Sequence, residues 1–196
     1  MKKIVLSTII ILLCSFAIKR IAFTPISRLM LTADAIVAAK VISHDTTAIK
    51  VELTKVLFIN DKTTLVKGQL IKINHGNNPK YKIKSARIAD NATAIFYLNT
   101  VSKSENYNPT DRFSGIVAIQ ADGKVPFVAD PDKEEAATLM QYAKAIKQIK
   151  ATYTIDKTGV IKSKWNKEYI YKNNKMSNFS KSIFDEVERE RSGYRK

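Results

Sequence analysis

Ile49-Lys50-Val51-Glu52-Leu53-Thr54 is the stretch on which the fold turns. Apolar and polar residues alternate strictly. Ile49, Val51 and Leu53 share one face and Lys50 and Glu52 the other, the period of a β-strand with one wet side. Just upstream, Ala35-Ile36-Val37-Ala38-Ala39-Lys40-Val41-Ile42 is too apolar for a half-wet strand and is expected mostly inside. Downstream, Lys55-Val56-Leu57-Phe58 breaks the alternation and predicts a bulge in a strongly bent strand. Lys67-Gly68 marks a loop, and Gln69-Leu70-Ile71-Lys72-Ile73 reads as a third strand. His75-Gly76-Asn77-Asn78-Pro79 ends it with turn-forming residues. Tyr81 to Ile88 is lysine-rich and ambiguous, and Ala92 to Leu98 is another buried strand. Ser102 to Arg112 is a polar loop. Ile116-Val117-Ala118-Ile119 and Val125-Pro126-Phe127-Val128 flank an Asp122-Gly123 pair, which predicts a hairpin.

Helical signals bracket these strands. Thr24-Pro25 can cap and start a short helix in which Ile26, Leu29, Met30 and Ala33 share a face. A longer helix is predicted from about Asp132 to Ala151, capped by Asp130 and started by Pro131. Asp132, Glu134 and Glu135 lie at its head and Lys144, Lys147 and Lys150 toward its tail, which suits the helix dipole. Leu139, Tyr142, Ala143, Ile146 and Ile149 form its buried stripe. Asp156-Lys157-Thr158-Gly159-Val160 reads as a turn between short extended pieces, and Ser182 with Asp185 as the start of a last helix.

The chain opens with Met1-Lys2-Lys3, an apolar run from Ile4 to Phe16, and small residues at Ser15 and Ala17. That is the charge, length and cleavage chemistry of a secretory signal, with the cut after Ala17. The run is too short for a bilayer span of about 20 residues. An uncleaved anchor and a lipoprotein signal at Cys14 are the competing readings, although Leu13 is larger than the residue a lipoprotein signal places before its cysteine. Cleavage removes the only cysteine, so a packed core rather than disulfides must hold the fold. The organisation expected is a signal at 1–17, a barrel domain at 18–130, a long helix on it at 131–151 and a C-terminal extension at 152–196. The mature chain then has no membrane span and sits in the periplasm, at the cell envelope or in the medium.

Net charge is +15. Such a balance suits acidic partners: nucleic acid, anionic lipid or anionic surface polymers. Most of it is lysine, in a chain rich in Ile and Asn, which equally fits a generic solvated surface in a protein from an AT-rich genome. Arg20, Arg28, Arg87 and Arg112 are scattered, whereas specific phosphate recognition enlists arginine forks.

Four segments together carry a resemblance: Ala33 to Val41, Val51 to Leu57, Lys67 to Ile73 and Ala94 to Leu98. Their order resembles secreted bacterial proteins with an OB-type barrel, similar to tissue inhibitors of metalloproteinases and netrin modules. It covers roughly residues 25 to 128. The resemblance implies a five-stranded Greek-key barrel with a binding face and reaches no further than Val128. With the helical signals read above, the expected class is α+β: a small OB-like Greek-key β-barrel with a short N-terminal helix, a long packed helix and a mixed C-terminal tail. The N-terminal cysteine through which the animal inhibitors act has no counterpart here, so no inhibitory residue carries over.

Catalytic chemistry finds little support. His44 and His75 end two predicted strands, and Asp45 adjoins the first, a set that could hold a metal if the ends met. No spacing motif supports that site, and two exposed turn histidines are the ordinary reading. There is no nucleophile elbow, and the isolated glycines make no phosphate loop. No cofactor and no catalytic or metal residue is assigned. Trp165, Lys167, Tyr169, Tyr171 and Lys172 interleave rings with cations, and alternation along a strand would line one face with rings that stack on bases or sugars. The competing reading packs those rings against the barrel. The expected role is a non-catalytic binding protein acting on an envelope or extracellular protein or an anionic polymer. A nucleic-acid binder is the alternative, and an envelope enzyme the third reading.

Overall fold

The computed structural model describes residues 24–45, 47–61, 64–74, 88–100, 106–111, 115–130, 133–173 and 176–193. The expected signal at 1–17, the turn at 75–79, residues 81–87 and, within the expected polar loop at 102–112, residues 102–105 and 112 lie outside them. The middle of that loop, Asn106–Pro109, is a strand rather than a loop.

Five strands close into a mixed barrel: β1 (Ala35–His44), β2 (Ala48–Ile59), β3 (Leu70–Asn74), β4 (Thr93–Thr100) and β5 (Asn106–Pro109). Their order is β1-β2-β3-β5-β4, and β4 returns to pair with β1. All neighbours are antiparallel except β3 and β5, which run parallel with Lys72 opposite Asn106. A sixth strand, β6 (Ile116–Ala118), shares the edge of β4 with β5. It takes Ala94 to Phe96 while β5 takes Leu98 to Thr100.

The apolar run of β1 has a direct cause. Ala35, Val37, Ala39 and Val41 fill the barrel with Ile49, Val51 and Leu53 of β2 and Phe96 and Leu98 of β4. Ile36, from the opposite face, packs with Ile95 and Tyr97 of β4 beneath a helical layer. Both faces are dry, so the two-residue period is masked. β2 keeps one face in water, with Lys50 and Glu52 exposed, and its alternation survives in the sequence. The expected bulge is present. Register shifts between β1 and β2 place Leu57 and Thr54 as extra residues on β2, and Thr54 Oγ1 donates to the Ala38 carbonyl at 2.9 Å. The shift at Leu57 turns this side chain from the barrel interior to the second core.

That second core lies between β1, β4 and a layer made of α1 (Ile26–Thr32), the hairpin β7 (Lys124–Asp130) with β8 (Lys133–Thr138), α2 (Leu139–Thr152), the hairpin β9 (Tyr153–Ile155) with β10 (Ile161–Ser163), α3 (Lys167–Asn173) and α4 (Asn178–Arg191). Leu29 and Met30 of α1, Tyr142, Ile146 and Ile149 of α2, and Phe179, Phe184 and Val187 of α4 are buried in it. Residues 152–193 therefore supply core side chains.

Five local expectations change. Thr24 does not cap α1: its hydroxyl donates to Asp111 Oδ2 at 2.6 Å, and the helix follows Pro25 without a side-chain cap. The Asp122-Gly123 turn forms, with Gly123 at φ 79°, but its flanking strands join different sheets. β7 pairs with β8 instead. Residues 133–138 are thus strand, and the long helix starts at Leu139 under a capping box in which Thr138 Oγ1 accepts from Gln141 N and Gln141 Oε1 accepts from Thr138 N. That box outcompetes the acidic run as the start signal. Ala145 rather than Ala143 completes the buried stripe. The last helix is capped by Ser177, not Ser182.

Candidate ligand-binding groove

Trp165 sits in the bend between β10 and α3. Ser163 Oγ donates to its carbonyl at 2.5 Å and holds that bend. Asn166 Oδ1 then accepts from Tyr169 N at 2.7 Å, the bond of an N-cap. This cap turns 167–173 into a helix rather than the expected strand. Spacing by four then sets Tyr169 over Trp165, with centroids 4.9 Å apart and planes at 25°. Both remain open to solvent, at 51% and 47% exposure.

Tyr171 goes the other way. Its hydroxyl donates to Asp185 Oδ1, and its ring meets Phe184 edge-on at 6.4 Å. Burial, then the Asp185 carboxylate, push this phenol up in pKa. Tyr171 thus fastens α3 to α4, and Lys167 Nζ lies 5.5 Å from its ring centroid. Lys172 is exposed in the last turn of α3. Of the five residues expected to form a surface, Trp165 and Tyr169 come together, Lys167 and Lys172 stay at the periphery, and Tyr171 leaves.

The stacked pair borders an open groove of about 410 Å³ between α2 and α3, lined also by Lys147, Gln148, Ala151, Thr152 and Asn173. Asn173 Nδ2 donates to the Tyr169 carbonyl at 2.9 Å. Gln148 Oε1 is buried without a hydrogen-bond partner among the described residues. Lys147, Gln148 and Asn173 have no sequence signal relating them to Trp165, because the pairing of α2 with α3 is set by the second core.

A second cleft, also about 410 Å³, lies on the barrel wall between Ser43, Asp45, Lys50, Leu70, Ile71, Lys72 and Asn106. Its carboxylate is already engaged. Asp45 accepts from Thr47 N and Ala48 N at 2.6 Å and pairs with Lys72 at 3.2 Å. Those backbone bonds hold its carboxyl well below the usual range. His44 Nδ1 meets Asp90 Oδ1 at 2.8 Å rather than Asp45, and His75 lies outside the described residues. Among the described residues no group of three or more metal-ligating side chains gathers.

No family model, curated protein or solved structure matches the chain. Among the described residues no helix is long and apolar enough to cross a membrane.

Proposed function

We propose that this chain is an exported, non-catalytic binding protein that meets its ligand at the Trp165–Tyr169 groove, at the cell envelope or outside it. The observation that carries the reading is the exposed ring stack. Two large aromatic faces held half in water by a capped turn invite a partner, because such rings contribute most of the energy of contact surfaces when they become covered. Export rests on the basic start, the apolar run and the small residues before Ile18. We also read the barrel as OB-type, resembling the tissue-inhibitor and netrin modules. The strand order, the closure of β4 on β1 and the parallel β3–β5 pair support that assignment.

Trp165 is the chain's one tryptophan, so its fluorescence reports on the groove alone. Free protein should emit at long wavelength and be quenched readily by iodide. Adding the polymer fraction of the producing cell's envelope should shield it. Replacing both rings, W165A with Y169A, should weaken binding of that fraction at least about tenfold, or about 1.4 kcal/mol. Undiminished binding by the double variant would move the site elsewhere. The mass of protein recovered from envelope or medium, expected to match residues 18–196, checks export.

A further inference from the structure

We infer that the groove takes an acidic polysaccharide, one whose sugar rings carry both hydroxyl groups and carboxylates; this rests on the assignment of the groove as the binding site. Two features call for two properties of one ligand. The ring pair offers a negative aromatic face, which attracts the C–H edges of a pyranose. Lys147 on the groove wall supplies positive charge, and Lys164, Lys167 and Lys172 stand on the elements that carry the rings, against Glu168. A uronate residue answers both.

Nucleic acid answers them less well. Single strands are held by rings spaced along a track, so that each ring receives a base. Here the two rings cover each other's facing surfaces, leaving no gap between them for a base. No arginine lines the groove to fork a phosphate.

The test titrates the mature protein with hexagalacturonate, with neutral maltohexaose and with an oligo-dT strand, following Trp165 emission and iodide protection. The uronate should bind at least about tenfold tighter than the neutral sugar, the size expected for one charged contact. K147A should bring the two sugars close together in affinity. Equal affinity for charged and neutral sugars, or tighter binding of oligo-dT, overturns the inference. Should no probe protect Trp165 while the envelope fraction still does, the acidic sugar is wrong and the groove stands. If that fraction fails as well, both fall.

Discussion

Inside the barrel, among the described residues, the packing is aliphatic and aromatic with Tyr107 as its one phenol: Ala35, Val37, Ala39, Val51, Leu53, Phe96 and Leu98 carry no polar side-chain atom. On the far side of the same two strands the packing is mixed. Tyr97 and Tyr142 are fully buried with their hydroxyls on each other. Tyr153 donates to Glu188 Oε1 at 2.7 Å, and Arg191 Nη2 donates to Glu188 Oε2 at 2.9 Å. Arg28 pairs with Glu190 and also donates to the Gly159 carbonyl at 3.1 Å. The barrel interior draws on residues 35–107, whereas the second core draws on 29–187. A core assembled from distant pieces needs directional contacts to choose one arrangement among many apolar ones, and buried polar pairs supply that direction when satisfied. The C-terminal third is thus structural cover for β1 and β4, not an appendage.

Removing one large side chain from each core tests whether the two unfold together. Phe184→Ala should cost about 3–5 kcal/mol and Leu53→Ala about 2–5 kcal/mol, the range for cavities in packed interiors. Because Ile36 and Tyr97 lie on the strands that also line the barrel, each variant should lower a single urea transition followed by both fluorescence and circular dichroism. Lys50→Ala, on the wet face of β2, should change stability by less than about 0.5 kcal/mol. If F184A melts the Trp165 signal well before the sheet signal, the cores are separate units.

The same contrast explains what was legible in the sequence. One wet face leaves a two-residue period, and β2 with its bulge could be read directly from residues 49–58. β1 and β4 were legible as buried strands, but nothing local says that one face meets a barrel and the other a helical roof. The 133–138 strand is hidden because its charges suit a helix start, while the Thr138–Gln141 box that starts the helix lies about two turns beyond the expected cap at Asp130. In the groove, the Trp165 and Tyr169 rings were visible as a cluster. Their geometry was not, because the ring spacing suits a strand and only the Asn166 cap selects the helix. Lys147, Gln148 and Asn173 join them only through long-range packing.

The tyrosine pair probes the polar content of the second core. Tyr97→Phe or Tyr142→Phe leaves the other hydroxyl buried and unbonded, which should cost about 1–3 kcal/mol. Replacing both removes the orphan too, so the double variant should lose less than the two singles together, with a coupling of about 1 kcal/mol. Additive losses in denaturant titrations would mean the hydroxyls act independently.

A smaller effect should come from Lys150, where the two regions touch. Its Nζ donates to the carbonyls of Leu31 at 3.2 Å and Ala33 at 3.0 Å, closing the end of α1, and lies 4.0 Å from the centroid of the Phe58 ring on β2. Burial lowers its pKa from 10.5 to about 8, against the pull of Asp34. Below pH 8 the amine is charged in both the folded and the unfolded chain, and the fold bears the full cost of burying that charge. Between pH 8 and 10.5 the folded amine is neutral while the unfolded one still holds its proton. The unfolded state then binds more protons, so this group makes the fold more stable as pH rises. The buried tyrosines act in the opposite sense above pH 10, since burial keeps Tyr97 and Tyr142 neutral after their unfolded counterparts ionise. Comparison with Lys150→Met cancels that contribution. Relative to K150M, the natural chain should gain about 1–2 kcal/mol from pH 8 to pH 10, reduced from the full linkage value because part of the amine faces solvent. Parallel stability curves for the two proteins would show that Lys150 is no more desolvated than a surface lysine, and that α1 is held to the barrel by its apolar stripe alone.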